Sequence, residues 1–367
     1  MIHIPQHISD LLPYKPGQSP EEISRLYGIE DVVKLASNEN PLGASPLALS
    51  ALQSISGKDL SLYPDGGLRL KEALSKHLNI SPNSIVTYNG SDALLHLIMR
   101  SFTEPGNEII SSQGTFVGYY VATKTANLNR IEVPLTSDYR FDIPAICNAV
   151  SPNTRIVYIA NANNPTGTYI NEQEFLQLVN SVPEHVLIIM DEAYFEYSSI
   201  IAHDYPNSME HNRPNIITLR TFSKVYGLAS LRVGYAVASP DITAVLSKAK
   251  LPFDPGTISQ IAAEAALVDK DFVQKTVELN ASAIRMFQEA FKQQGWTISP
   301  TVANFSMIDC KSNENSELLY MELLKRGFIT RPLGGFQLPQ CIRISTGTQE
   351  QNLALISAMA DIRQLFQ

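Results

Sequence analysis

The chain has 367 residues, of which 44% are hydrophobic and 17% charged, and its formal net charge is −8. The length predicts two domains rather than one compact core, and the composition is that of a folded protein rather than a disordered one. Because an acidic chain offers no basic field to displace phosphate counterions, we expect no nucleic-acid partner.

The cysteines and the start of the chain indicate the cellular setting. Cys147, Cys310 and Cys341 are far apart and lack a Cys-x-x-Cys spacing, which disfavours both a disulfide framework and a zinc site. The first residues carry no basic stretch ahead of an apolar one, and no apolar run approaches the ~20 residues that span a bilayer. We therefore expect a cytoplasmic protein with no membrane partner and no metal.

In chain order, five β-branched runs predict buried, parallel strands. They cover residues 85–88, 155–160, 186–190, 216–219 and 233–238. Helical patterns at 93–99 and 172–179 follow the first two runs. Alternation of strands and helices predicts an α/β fold, a mainly parallel sheet flanked by helices. Ligands of such sheets bind at the carboxyl ends of the strands, where polar motifs follow almost every run here.

The pattern changes after residue 255. A long helical stretch over 257–294 is followed by strand-like segments at 303–308 and 341–345 and by a closing helix from about residue 350. We predict a large α/β domain over residues 41–255 and a smaller α+β C-terminal domain over 256–367. The N-terminal segment, residues 1–40, is expected to pack with the smaller domain and complete it.

Residues 221–234, TFSKVYGLASLRVG, contain a lysine and an arginine in unusual surroundings. Lys224 follows an apolar strand on a turn rich in Ser and Gly. Such a lysine is either a solvated surface group or a desolvated amine with a lowered pKa, as Schiff-base chemistry requires. Arg232 lies among apolar residues, where an unpaired charge is costly, so we expect it to meet a bound anion.

Three further motifs follow predicted strands. Asp191 ends one strand, and its neighbour Glu192 points to the opposite face, so the two carboxylates cannot easily share one ligand. The segment NANNPTGT (161–168) contains turn formers and reads on its own as a plain turn. The segment NGSD (89–92) leads into a helix and fits either a helix cap or a phosphate site.

Taken together and in order, these motifs resemble the fold-type I pyridoxal-phosphate-dependent aminotransferases. The segments LPYKPG (12–17) and LASNENP (35–41) belong to the same resemblance, which runs from about residue 12 to 347. The motifs at 163–168, 191–197 and 221–224 are most similar to the branch of that family that acts on histidinol phosphate. The resemblance therefore implies pyridoxal 5′-phosphate as cofactor. It also implies transamination between histidinol phosphate and 2-oxoglutarate, giving imidazole-acetol phosphate and glutamate, as in histidine biosynthesis.

Two other activities share this scaffold and remain open at this point. One is an aromatic amino-acid aminotransferase acting on phenylalanine or tyrosine, since a flat ring can replace imidazole. The other is a pyridoxal-phosphate-dependent phosphothreonine decarboxylase.

The resemblance assigns roles in cofactor binding. Lys224 would bind the cofactor as a Schiff base and move the substrate proton. Asp191 would keep the pyridine nitrogen protonated, which makes the ring an electron sink. Tyr194 and Asn164 would bond the phenolate oxygen, and Phe116 would stack on the ring. The residues expected around the phosphate are Ser91, Asp92, Thr221, Ser223 and Arg232.

The resemblance also assigns substrate and subunit contacts. Arg343 would hold a substrate anion, with Arg331 as a second cation nearby. Tyr14 and Asn38 would line the site from the N-terminal segment. Tyr63 would reach the phosphate of a neighbouring subunit, which implies a homodimer.

Two residues depart from the family pattern. Gly114 replaces the usual proline at the start of the segment that carries the stacking ring, and we expect it to loosen that loop. Ala93 replaces a common glutamate, with no predicted consequence.

Overall fold

The computed structural model of the protein describes residues 2–11, 18–211 and 213–366. Its strands form three sheets, a central one of seven strands, one of four and one of two. The strands are β1 Val33–Lys34, β2 Ile85–Tyr88, β3 Glu108–Ser112, β4 Asn129–Val133, β5 Thr154–Ala160, β6 Leu187–Asp191, β7 Ile216–Thr221, β8 Gly234–Ala238, β9 Thr297–Ile298, β10 Phe305–Asp309, β11 Phe328–Ile329, β12 Arg331–Pro332 and β13 Cys341–Ser345.

Several helices begin at residues whose side chains cap them, as in α2, α3, α9 and α15. In α9, for example, Asn171 and Glu174 form a reciprocal capping box that satisfies two free backbone N–H groups. The helices are α1 Gln6–Ser9, α2 Pro20–Tyr27, α3 Pro46–Gln53, α4 Gly57–Ser61, α5 Leu68–Leu78, α6 Ser91–Phe102, α7 Val117–Thr125, α8 Ile143–Asn148, α9 Glu172–Ser181, α10 Phe195–Ile201, α11 Pro240–Ala249, α12 Thr257–Leu267, α13 Lys270–Gln293, α14 Asn313–Leu324 and α15 Gln349–Arg363.

The central sheet has the strand order β2-β8-β7-β6-β5-β3-β4. The mainly parallel α/β sheet is confirmed, with one correction: β8 runs antiparallel to both β7 and β2. The segment between β7 and β8 contains a short 3₁₀ turn and no crossover α-helix, whereas parallel strands are usually joined through such a helix. The sequence prediction also missed β3 and β4, since charged and polar residues interrupt their apolar pattern.

Alternation along each strand divides the central sheet into two packed faces. On β5, Tyr158 faces α6, α7 and α11, whereas Val157 and Ile159 face α8 and α9. On β6, Ile189 lies on the first face and Met190 on the second. Since side chains alternate with a period of two, Asp191 shares the face of Tyr158 and Ile189.

The four-stranded sheet has the order β12-β13-β10-β9. Helices α13, α14 and α15 pack on it through a buried apolar cluster. The N-terminal segment reaches this region, because β1 pairs in parallel with β11 and Leu35 lies in the same cluster. Within the described ranges, no helix is long and apolar enough to cross a membrane.

The predicted single helix over 257–294 is wrong. The structure has two helices, α12 and α13, separated at Val268 and Asp269. The Asp269 carboxylate accepts the backbone N–H of Phe272 and so begins α13, and it also accepts the hydroxyl of Ser45 at 2.5 Å. Helix α12 packs on α3 and α5 through buried alanines and leucines. The domain limits given above stay a prediction.

Candidate active site

A cavity opens at the carboxyl edge of the central sheet, where β2, β5, β6 and β7 all end. Because these four strands run in the same direction, the polar residues that follow them meet at one edge. Ten of the residues singled out in the sequence line this cavity. They are Ser91, Asp92, Phe116, Asn164, Asp191, Tyr194, Thr221, Ser223, Lys224 and Arg232.

Asp191 lies at the end of β6, on the floor of the cavity, with 6% of its surface exposed. Its Oδ2 accepts the hydroxyl of Tyr158 at 2.9 Å, while its Oδ1 has no hydrogen-bond partner among the described residues. Burial raises the pKa of this carboxyl to about 6. A buried acceptor with one open oxygen suits a ligand group that donates a hydrogen bond.

Glu192 points to the other side of the sheet, as strand alternation predicts. Its carboxylate forms a buried ion pair with Arg220, 2.7 Å from Nη2, and the guanidinium lies over the ring of Phe195. Neither Glu192 nor Arg220 lines the cavity. The two neighbouring carboxylates therefore have separate roles, one at the cavity and one in the core.

Lys224 reaches the cavity from the loop after β7. Its Nζ donates to the carbonyl oxygens of Ser37 at 3.2 Å and Asn38 at 3.4 Å. Burial lowers the pKa of this amine to about 7, and the nearby positive charge of Arg343 adds to the effect. The solvated-lysine alternative does not fit this environment, and a neutral, nucleophilic amine is available near pH 7.

Side chains and backbone around the start of α6 form a cradle whose donors suit an anion. Arg232 Nη1 donates to Ser223 Oγ at 3.1 Å, and the Thr221 hydroxyl donates to the same oxygen at 3.0 Å. Arg232 has a positive φ of 48°, which is uncommon for a residue other than glycine. Gly90 precedes the helix, and a Cβ there would lie 2.7 Å from Arg232 Nη2. A glycine is therefore required for the guanidinium to approach the helix N-terminus, where anions are stabilised.

Tyr194 and Asn38 are joined on the wall of the cavity nearest the N-terminal segment. Asn38 Nδ2 donates to the Tyr194 hydroxyl at 2.9 Å, and Asn38 Oδ1 accepts from Ser345 Oγ at 2.8 Å. Burial raises the pKa of Tyr194, so the phenol is neutral at ordinary pH. Its proton can be donated to an oxygen anion in the cavity.

Arg343 extends from β13 towards the cavity and is 5% exposed. Its guanidinium donates to Asn164 Oδ1 and, at 2.6 Å, to the carbonyl oxygen of Ala36. Arg331 is the direct partner of Arg343 across the β12–β13 pair, and directly opposed residues in antiparallel strands lie on the same face. The two predicted arginines are thus neighbours on one face of this strand pair, and Arg343 contacts the cavity through Asn164.

Phe116 lines the cavity and also begins α7. The expectation that Gly114 loosens this loop is wrong. Gly114 has a φ of 63°, which proline cannot adopt, and a Cβ there would lie 2.9 Å from Leu135. The loop is anchored, because the Gly114 carbonyl accepts from Asn163 Nδ2 at 3.0 Å and Thr115 Oγ1 donates to Asn163 Oδ1 at 2.9 Å.

Five predicted site residues are not among those that line the cavity. Asn38 and Arg343 are bonded to residues that do line it, Tyr194 and Asn164, and Arg331 pairs with Arg343. Tyr63 is 82% exposed and stacks on Phe253, with 4.5 Å between ring centres, and it does not line the cavity of its own chain. Tyr14 lies outside the described residues.

Sequence reasoning missed several residues at the site. Tyr158 was passed over as one member of an apolar strand, although a hydroxyl in a fully buried strand needs a partner. Ser345, which bonds Asn38, had no distinguishing pattern. Neither did the small residues that shape the cavity floor and leave room for a ring, Ala160, Ala162 and Ala193.

The residues present fit pyridoxal phosphate, the cofactor that the motif resemblance implies. The open oxygen of Asp191 suits an N–H donor, the cradle at Gly90 and Arg232 suits a phosphate, and Lys224 is a desolvated amine. These three features lie around one cavity that also contains an aromatic ring, Phe116.

Comparisons with known proteins agree with this geometry. The sequence profile of aminotransferase class I and II matches residues 30–359. The chain is 41% identical to histidinol-phosphate aminotransferase of Bacillus velezensis, over 98% of this chain and 100% of the relative. It is 39% identical to histidinol-phosphate aminotransferase 1 of Nitrosococcus oceani, over 98% of this chain and 96% of the relative. The crystal structure of histidinol-phosphate aminotransferase from Sinorhizobium meliloti in complex with pyridoxal-5′-phosphate superposes with a TM-score of 0.90 at 28% identity. That superposition covers 100% of this chain and 99% of the other.

Proposed function

The chain belongs to the class I and II aminotransferases, and from this premise we propose that it transfers an amino group between histidinol phosphate and 2-oxoglutarate with pyridoxal phosphate as cofactor. The products are imidazole-acetol phosphate and glutamate, a step of histidine biosynthesis. The observation that carries the proposal is the desolvated Lys224 in one cavity with the open oxygen of Asp191 and the anion cradle. The names and full-length match of the relatives support the substrate.

Cofactor binding is assigned to the residues of the cavity. The cofactor supplies an aldehyde that bonds to amines and a pyridine ring that accepts an electron pair. Asp191 would hold the ring nitrogen through its open oxygen, and Phe116 would cover one face of the ring. Tyr194 and Asn164 would donate hydrogen bonds to the phenolate oxygen. The residues that would hold the phosphate are Ser91, Asp92, Thr221, Ser223 and Arg232.

Lys224 is the base that moves the substrate proton. Burial lowers the pKa of its free amine to about 7. It is therefore partly neutral at physiological pH and can accept a proton from the substrate Cα and return it elsewhere. The carbonyl oxygens of Ser37 and Asn38 orient Nζ during this transfer.

Substrate binding is assigned to the two arginines of the β12–β13 pair. Arg343 is rigid, since Asn164 and Ala36 accept two of its N–H groups, and its fork can hold the carboxylate of glutamate. Arg331 is half-buried beside it. In histidinol phosphate, a CH₂–O–phosphate group takes the place of the α-carboxylate of an amino acid. The phosphate dianion has more charge and extends farther from Cα, so a second cation such as Arg331 suits it. Tyr14 and Asn38 are assigned to the same end of the site.

Replacing Arg331 by alanine is expected to penalise histidinol phosphate more than phenylalanine. A hydrogen bond to a charged group contributes about 1.5–3 kcal/mol, so the selective loss in kcat/KM is roughly 10- to 150-fold. The measurement is the ratio of the two specificity constants in the wild-type protein and in Arg331→Ala. Lys325→Ala, which removes an exposed charge on the adjacent segment, is the matched control and should leave the ratio unchanged. An unchanged ratio in Arg331→Ala as well would contradict this assignment.

A homodimer in the cytoplasm completes the proposal. Exposed apolar side chains surround Tyr63, and patches of this kind mark protein–protein contacts. Since Tyr63 lies outside its own cavity, its assigned contact with phosphate requires the cavity of a second subunit. Phe253 stacks on Tyr63, and Leu60, Leu62 and Leu68 are exposed within five residues of it along the chain.

Mixing two inactive or weakened variants tests the shared site. Tyr63→Phe protomers are combined with Lys224→Ala protomers under conditions that exchange subunits, and transamination is measured. In a heterodimer, one site carries both defects and the other carries neither, so activity should reappear. Each variant incubated alone is the control. Additive loss without recovery, when subunit exchange has been verified, would exclude a site shared between subunits.

Steady-state kinetics decide between the proposed substrate and the alternatives. The expected result is a higher kcat/KM for histidinol phosphate than for phenylalanine or tyrosine, each with 2-oxoglutarate. Preference for an aromatic amino acid would instead identify an aromatic aminotransferase. Release of carbon dioxide from phosphothreonine would identify a decarboxylase.

A further inference from the structure

A tyrosine behind the cavity floor contacts the central carboxylate. Tyr158 lies within β5 and has 0% of its surface exposed. Its hydroxyl donates to Asp191 Oδ2 at 2.9 Å. The two residues lie on neighbouring parallel strands and on the same face of the sheet. Tyr158 does not line the cavity, so it acts on any ligand only through Asp191.

The Tyr158 ring is held in place. It stacks on the ring of Tyr119, with centres 4.8 Å apart and planes 12° from parallel. Strand β5 is itself paired on both sides, with β3 and β6. Because the stacked ring and the paired strand hold this side chain, the position of its hydroxyl oxygen is fixed. The hydrogen bond from that hydroxyl therefore holds one oxygen of Asp191 in place.

The other oxygen of Asp191 is thereby left for a ligand. Oδ1 is buried and has no hydrogen-bond partner among the described residues. A carboxylate bonded at only one oxygen by a rigid donor keeps a single orientation. In that orientation the second oxygen remains available on the floor of the cavity.

The hydroxyl also favours the charged form of the carboxylate. Burial raises the pKa of Asp191, and the negative charges of Asp92 and Glu192 act in the same direction. The hydrogen bond from Tyr158 opposes them, and the nearby backbone N–H of Ala193 acts in the same direction as this bond. In a buried site, a donor of this kind contributes strongly to keeping an anion ionised.

We propose that Tyr158 is a positioning residue for Asp191, whose hydroxyl orients the carboxylate and keeps it ionised so that the free oxygen holds the protonated pyridine nitrogen of the cofactor. This inference rests on the proposed function, because it requires pyridoxal phosphate in the cavity.

The test compares Tyr158→Phe with Tyr119→Phe. Both substitutions remove one hydroxyl from the same stacked pair, but the Tyr119 hydroxyl has no hydrogen-bond partner among the described residues. Each variant is reconstituted with pyridoxal phosphate labelled with ¹⁵N in the ring, and the ¹⁵N chemical shift is recorded. In Tyr158→Phe the shift should move towards that of an unprotonated pyridine. The affinity of the apoenzyme for pyridoxal phosphate should fall about 10-fold, as expected for a lost hydrogen bond to a charged group. Tyr119→Phe should match the wild type.

The outcomes separate this inference from the proposed function. A wild-type protein that does not bind pyridoxal phosphate would overturn the function. A wild type with a protonated ring nitrogen and an unchanged shift in Tyr158→Phe would overturn the role of Tyr158 alone. If Tyr158→Phe does not fold, 3-fluorotyrosine at position 158 keeps the ring and supplies a more acidic donor. It should move the ¹⁵N shift away from that of an unprotonated pyridine, and no movement would contradict the inference.

Discussion

Lys224→Ala is expected to abolish transamination and to remove the visible absorbance of lysine-bound pyridoxal phosphate. Alanine has no amine to bond the cofactor aldehyde and no base to move the substrate proton. Loss of a positioned proton-transfer group alone lowers kcat roughly 10²- to 10⁴-fold. The cofactor should still bind, because the cradle formed by Ser223, Arg232 and the start of α6 is unchanged. The measurements are the absorbance spectrum and the rate with histidinol phosphate and 2-oxoglutarate.

Lys248→Ala is the matched control for this prediction. Lys248 is an exposed lysine of α11, so its removal changes the net charge by the same amount without touching the cavity. It should keep the spectrum and the rate of the wild type. If Lys224→Ala retained near-wild-type transamination, the assignment of Lys224 as the cofactor-binding lysine would be wrong.

Asp191→Asn is expected to leave the fold intact and to slow the reaction strongly. A neutral amide cannot stabilise a protonated pyridine nitrogen, so the ring loses most of its capacity to accept electrons. Removing one partner of a buried charge pair costs about 3–5 kcal/mol, which corresponds to roughly 10²- to 10³-fold or more in rate. The measurement is the rate constant of the half-reaction with glutamate. An unchanged rate constant would count against this role.

Glu192→Gln is the control for Asp191→Asn, and the structure defines what it should change. The Glu192 carboxylate is paired with Arg220 on the opposite side of the sheet. Breaking a buried ion pair destabilises the fold, so Glu192→Gln should lower the thermal stability while affecting the half-reaction far less than Asp191→Asn. A fall in rate as large as that of Asp191→Asn would show that the two faces of the sheet do not act independently.

The strand ends and the residues that follow them could be predicted from the sequence for a physical reason. Buried parallel strands consist of apolar β-branched residues, and a polar residue at the strand end stands out against them. Asp191 and Lys224 stand out in this way, and the cavity contains both. Alternation along the strand also places Asp191 and Glu192 on opposite faces of the sheet.

The remaining features depend on distant parts of the chain. At the break between α12 and α13, for example, Asp269 bonds Ser45, which is 224 residues away. Gly114 was misread because its left-handed conformation follows from packing against Leu135 and Leu338. The Tyr158–Asp191 contact joins two strands 33 residues apart, which no local pattern reveals.

A single-turnover reaction tests the central proposal most directly. The wild-type protein, loaded with pyridoxal phosphate, is mixed with histidinol phosphate or with phenylalanine in the absence of 2-oxoglutarate, and the absorbance is followed. The account predicts that histidinol phosphate removes the absorbance of the lysine-bound cofactor faster than phenylalanine does. It also predicts release of one imidazole-acetol phosphate per site. Faster conversion by phenylalanine, or no conversion by histidinol phosphate, would contradict it.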